Sequence, residues 1–243
     1  MNYKIKIQYD GTRYLGWQKQ KNIDSTIQEK IENILYKKFN EYIQVIGAGR
    51  TDAGVHALDY TANFLTSNEV NLNELFEYFN RYLPEDIRIK EIKKVGDRFH
   101  SRYNAKSKTY IYNIDNSLYG NVFDRKYSWH IPEILNIEKM KLAAELLEGT
   151  HDFKSFTNKS KNKNTVRTIN FINIDKYNEK ISIEVNGNSF LLNMVRIIVG
   201  TLVEVGLEKR TIESIKELFI DVDRNKAGER AVAKGLFLKE IIY

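Results

Sequence analysis

The chain has no cysteine, two prolines and no apolar run approaching the roughly 20 residues of a membrane span. Without cysteine there is no disulfide framework, no thiolate zinc site and no thiol nucleophile. A cysteine-free chain fits a reducing compartment such as the cytoplasm but does not demand one. The longest apolar stretch, Phe190 to Val205, is interrupted by Asn193, Arg196 and Glu204. The four histidines, His56, His100, His130 and His151, are scattered and give no metal-binding spacing. The first residues, Met1-Asn2-Tyr3-Lys4-Ile5, read as a charged alternating strand rather than a signal peptide.

What is present suits a folded protein. The 243 residues are enough for one large domain or two compact ones, and 42% are hydrophobic. The net charge of +6 is compatible with a nucleic-acid partner but does not demand one.

Tyr3, Ile5, Ile7 and Tyr9 alternate with period two, the pattern of a half-buried strand. Ser25-Thr26-Ile27-Gln28 reads as a capping box with Ser25 at the N-cap, and Ile27, Ile31, Ile34 and Leu35 continue as a helical stripe. Strands are expected over Tyr42–Ile46 and Tyr60–Leu65. Leu72, Leu75, Phe76 and Phe79 mark a second helix, which Leu83-Pro84 ends because a residue before proline is pushed out of the helical region. Ile87, Ile89 and Ile92 suggest another strand. The order β-α-β-β-α-β is the split-βαβ, ferredoxin-like unit.

Further on, Ile137–Leu147 reads as a helix closed by Gly149, and Val166–Ile174 and Ile181–Val185 as strands around a turn near Asn178. The most apolar helix is expected to start at Asn188-Ser189, and Thr211 to cap a last helix. His151 reads as structural. Asn158 to Asn164 is a low-complexity basic loop, either solvated or able to clamp an RNA backbone.

One segment concentrates chemistry: Gly47-Ala48-Gly49-Arg50-Thr51-Asp52-Ala53-Gly54-Val55-His56-Ala57. Glycines let a backbone turn tightly and approach a ligand closely. Arg50, two residues from Asp52, favours an ionised carboxylate, which can act as nucleophile or base. The same residues also make an ordinary hairpin connection. The segment lacks the Gly-Lys-Ser/Thr ending of a P-loop. Two further segments interleave cations with rings: Asp10–Gln20, with Arg13, Tyr14, Trp17 and Lys19, and Asp97–Tyr110, with Arg98, Phe99, Arg102, Tyr103, Lys106 and Lys108. Such mixtures suit phosphate contacts and base stacking, although Trp17 can equally tuck into the core and the second segment can be a solvated strand edge. Arg196, inside the apolar helix, needs a partner or must snorkel to solvent; Asp52 is the natural partner.

Gly-Arg-Thr-Asp-Ala-Gly-Val-His-Ala resembles the catalytic signature of the tRNA pseudouridine synthase A family. Tyr9–Gln18, Ser107–Tyr110, Gly149–Phe156, Phe190–Leu202 and the tail to Leu238 resemble further family blocks in the same order. The resemblance implies an α+β pseudouridine synthase fold: two ferredoxin-like (RRM-like) halves, residues 1–104 and 105–243, with antiparallel sheets joined around a central catalytic cleft. The first half would carry the catalytic Asp and the second would complete the cleft and the RNA-binding surface. It implies an isomerase that converts uridine to pseudouridine at positions 38, 39 and 40 of the tRNA anticodon stem-loop, with no cofactor and no metal, as a homodimer.

By the same resemblance Asp52 is the essential carboxylate, Tyr110 stacks on the target base, Arg196 contacts Asp52, Leu236 packs in the active site, and Arg50 assists base extrusion or holds phosphate. One departure stands out: Arg230-Ala231-Val232-Ala233 replaces the expected Thr-Ala-Pro-Ala. Two other classes compete. One is a non-catalytic RNA-binding protein on the same fold. The other is a carboxylate-based hydrolase drawing a second acid from Asp10 or Asp59.

Overall fold

The computed structural model describes residues 1–158 and 164–243. The basic loop's Lys159, Lys161 and Lys163 lie outside the described residues. The chain forms two compact units, one of Met1–Lys106 with Phe237–Tyr243, the other of Ser107–Leu236.

The first unit contains β1 (Asn2–Tyr9), α1 (Ile27–Phe39), β2 (Val45–Gly47), β3 (His56–Leu65), α2 (Leu72–Tyr82), β4 (Ile87–Val95) and β10 (Leu236–Ile242) from Phe237 onward. Its antiparallel order β4-β1-β3-β2 is that of a ferredoxin-like unit. Tyr3, Ile5, Ile7 and Tyr9 are all buried, as their alternation requires. The step from Ile87 and Ile89 to Ile92 breaks that period because Lys90 is an extra residue: Ile7 pairs with Ile89, but Lys6 already pairs with Glu91.

Local signals needed adjusting. The cap of α1 is Thr26, not Ser25, and it accepts from Glu29 N at 3.4 Å. Gln28 turns inward instead, its amide donating to Glu32 and to the Val45 carbonyl. In α2, Leu75 and Phe79 are buried while Phe76 faces outward. The helix stops at Leu83, which is extended before Pro84. β2 is shorter than expected, and β3 starts at His56, inside the glycine-rich segment.

The second unit contains β5 (Ser107–Asp115), β6 (Trp129–His130), α3 (Ile137–Glu145), β7 (Gly149–Asp152), β8 (Val166–Tyr177), β9 (Lys180–Gly187), α4 (Met194–Gly206) and α5 (Ser214–Asp221). Its strands run β5-β9-β8-β7, all antiparallel, with β6 parallel to β5. Asn178 turns the β8–β9 hairpin at φ 52°. The apolar helix α4 begins at Met194, not near Asn188, because Asn193 is left-handed at φ 62° and a helix cannot run through it. Thr211 lies three residues before Ser214, whose N–H it accepts at 3.3 Å, while Glu213 is the cap position of α5. His151 is structural: its Nε2 bonds the Glu148 carbonyl at 2.7 Å and its ring stacks on Phe219.

Candidate active site

In the first unit, Asp52 opens a tight turn: Val55 N donates to the Asp52 carbonyl at 3.2 Å, and Gly54, third in the turn, has φ +75°. That conformation is open to glycine and strained for other residues. The Asp10–Gln18 segment fastens this turn from outside. Trp17 N donates to Thr51 O, and Gly54 N to Tyr14 O, each at 3.2 Å. Tyr9 and Thr51 share a hydroxyl hydrogen bond of 2.9 Å. Gly11 N donates to His56 Nδ1 at 3.1 Å, and the imidazole stacks on Phe237.

The fit leaves no room for a methyl group. A Cβ on Gly11 would lie 2.0 Å from the Val55 carbonyl oxygen, and one on Gly47 2.2 Å from the Tyr60 hydroxyl and 2.4 Å from Trp17 Nε1. Trp17 is 1% exposed and stacks on Tyr60 with ring centroids 4.0 Å apart, so it is core and not an RNA contact. The Tyr60 hydroxyl donates to Gly49 O and accepts from Gly49 N. The backbone on both sides of Asp52 is therefore fixed, with Asp52 itself half-buried and Arg50 exposed. Both rival carboxylates already have partners, among them His56 Nδ1 at 3.0 Å for Asp10. Asp59 is ion-paired to Lys6 at 2.6 Å, and Asp10 accepts from Thr12 N at 2.9 Å and Thr12 Oγ1 at 2.5 Å.

The second unit holds Tyr110, Arg196 and Leu236. Tyr110 and Tyr112 share one face of β5, two residues apart. Tyr110 is half-buried, its ring perpendicular to that of Phe190 with centroids 5.2 Å apart. Leu236 is buried, directly after Gly235, which packs on the Tyr112 ring. Arg196 lies on α4 and is 8% exposed, which rules out snorkelling. Its Nε donates to the Ala231 carbonyl at 2.7 Å, and Ala231 N donates back to the Arg196 carbonyl at 3.1 Å.

This backbone partner was not legible in the sequence, because alanine carries no side-chain signal. Gly200 inside an apolar helix was the clue available, since a helical glycine often marks a close approach. In the changed segment Val232 has φ −61° and ψ 147°, values proline would also adopt. In the Asp97–Tyr110 segment, Arg98, Arg102 and Lys106 are exposed, and Tyr103 is 78% exposed. Among the described residues, no cluster of His, Asp or Glu could hold a metal ion, and no helix is long and apolar enough to cross a membrane.

Comparison with known proteins gives the chain a family. The model described as tRNA pseudouridine synthase matches residues 5–104 and 143–243. The chain is 54% identical to tRNA pseudouridine synthase A 1 of Clostridium tetani, over 100% of this chain and 99% of that protein. It is 50% identical to tRNA pseudouridine synthase A of a Bacillus species, with the same coverage. It is 46% identical to tRNA pseudouridine synthase A 2 of Bacillus cereus, over 99% of this chain and 98% of that protein. One chain of a solved Cbf5-Nop10-Gar1 complex aligns with a TM-score of 0.38 and 10% identity, over 97% of this chain and 48% of that chain, a likeness too low to define the fold. Matched by the family model over both segments and by these relatives over essentially its whole length, the chain belongs to the tRNA pseudouridine synthase family.

Proposed function

We propose that this protein isomerises uridine to pseudouridine in the tRNA anticodon stem-loop, at positions 38, 39 and 40. The observation that carries the reading is the Asp52 turn, a carboxylate presented on a backbone fixed from both sides. The reaction breaks the N1–C1′ glycosidic bond and forms a C5–C1′ bond. N1 gains a proton and C5 loses one, so the change is an isomerisation with no net redox. The chemistry calls for a carboxylate acting as nucleophile or base, and Asp52 is that group. The base must first leave its stack, at a cost of about a few kcal/mol.

In this reading Tyr110, which is only half-buried, stacks on the extruded uracil. Arg196 keeps the reacting carboxylate ionised and oriented, since a guanidinium favours the charged form. Leu236 packs beside the base. Arg50, exposed next to the turn, holds a phosphate or helps extrude the base. The exposed cations Arg98, Arg102 and Lys106 supply backbone contacts that position the tRNA without reading sequence. We take the enzyme to be a cytoplasmic homodimer that needs no cofactor.

The C5 proton gives a direct test. With a tRNA transcript tritiated at uracil C5, the protein should release tritium to water in proportion to the pseudouridine formed. Tight tRNA binding with no release would favour the non-catalytic RNA-binding alternative.

A further inference from the structure

A strap of chain from Lys226 to Val232 is fastened to α4 at Arg196, Thr201 and Glu204, and to Arg210 just beyond the end of the helix. Arg210 Nη2 donates to Lys226 O at 2.6 Å, Gly228 N to Thr201 Oγ1 at 3.0 Å, and Glu229 N to Glu204 Oε1 at 3.0 Å. Ala231 closes the series with its reciprocal pair of bonds to Arg196. The approach is close enough to require glycine on both sides. A Cβ on Gly200 would lie 1.8 Å from Glu229 O, and one on Gly228 2.6 Å from Thr201 Cα.

One residue beyond Ala231, the Val232 carbonyl accepts from the Tyr112 hydroxyl at 2.8 Å. Tyr112 is fully buried on β5, and its ring lies against Gly235, where a Cβ would come within 2.7 Å. Burial pushes its phenol up, against a smaller opposing effect of the Arg196 charge, so the hydroxyl remains a proton donor. The strap thus has two anchors at its far end: α4 through Ala231 and β5 through Val232. Because a guanidinium is planar, the acceptor that holds Nε also sets the direction of the two terminal nitrogens.

We propose that Tyr112 is a positioning residue for Arg196: its hydroxyl holds the Val232 carbonyl, which fixes the Ala231 carbonyl and thereby aims the guanidinium. The proposal rests on the reading of Arg196 as part of the reaction. Tyr112 touches no substrate in this scheme, and its effect is on geometry alone.

The test is a double-mutant cycle on the full-length protein, with kcat and KM measured on a tRNA transcript and thermal unfolding followed in parallel. Tyr112→Phe keeps the ring and removes one oxygen. It should lower kcat about tenfold with KM within about twofold, because a small misplacement of a reacting group is costly. In an Arg196→Lys background, already slow, the same change should have no further effect on kcat. Val232→Pro, which suits the observed φ, should restore much of the kcat lost in Tyr112→Phe by stiffening the strap from its own backbone. Full kcat in Tyr112→Phe beside a slow Arg196→Lys would overturn the proposal and leave the role of Arg196 standing. Fully additive losses in the double variant would show that Tyr112 does not act through Arg196. Wild-type kcat in Arg196→Lys would remove the reading of Arg196 and the proposal with it.

Discussion

Around Asp52, side chains close on a glycine-rich turn: Trp17, Tyr60 and Tyr9 pack and bond against Gly47, Gly49 and Thr51. Around Arg196, main chain closes on a helix, with the Ala231 carbonyl as acceptor and Gly200 and Gly228 allowing the approach. The first arrangement uses residues whose identities announce it. The second turns on the Ala231 carbonyl, an acceptor that any residue could supply. Asp52 and Arg196 are thus both closely held, while only the packing around Asp52 is visible in the sequence.

Several variants sharpen or break that contrast. The largest effect is expected at Asp52 itself. Asp52→Asn should lower turnover by about 10²–10⁴-fold while tRNA affinity is retained, since the turn is held by backbone bonds that the amide does not disturb. Single-turnover rates beside filter binding would check this, and activity within about tenfold of wild type would remove Asp52 from the chemistry. Arg196→Met should lower kcat by about 10²-fold, and it also leaves the buried Ala231 carbonyl without its donor, at about 1–3 kcal/mol of stability. Urea unfolding separates the two losses; a variant that loses stability alone would make Arg196 purely structural.

Gly11→Ala should destabilise the protein by about 1–3 kcal/mol, because the methyl group would meet the Val55 backbone rather than a movable side chain. Gly200→Ala makes the sharper comparison. Helix propensity alone would make it stabilising by about 1 kcal/mol, but contact with the Glu229 carbonyl should reverse the sign. A rise in Tm would mean that the strap yields easily and that the two regions differ in rigidity after all. The smallest effect is expected of Val232→Pro, a gain of about 0.4–1 kcal/mol from restricting the unfolded chain at a position already in proline's conformation.

In the first unit β1 was legible because its burial follows period two. Where the sequence misled, the physical cause is local. Ser25 and Thr26 are both good caps, and the choice fell to Thr26 because Gln28 was drawn into the core by Glu32 and Val45. Phe76 fits a helical stripe, but only Leu75 and Phe79 are buried. The onset of α4 was missed because Asn193, left-handed in the structure, gives no such sign within an apolar run. At the site, the Asp52 turn could be read from Asp-Ala-Gly-Val alone. Arg196 could be singled out as a cation needing a partner, but its carbonyl acceptor lies 35 residues away. Nor did anything distinguish Tyr112 from the other tyrosines, since its role follows from the pairing of a hydroxyl with a main-chain oxygen.

The central question is whether this chain carries out the isomerisation at the expected place. The decisive measurement is a position-by-position map of pseudouridine in unmodified tRNA transcripts after incubation with the pure protein, with no added metal or nucleotide. We expect conversion confined to positions 38, 39 and 40 of the anticodon arm. Transcripts that bind tightly and emerge with every uridine unchanged would contradict it.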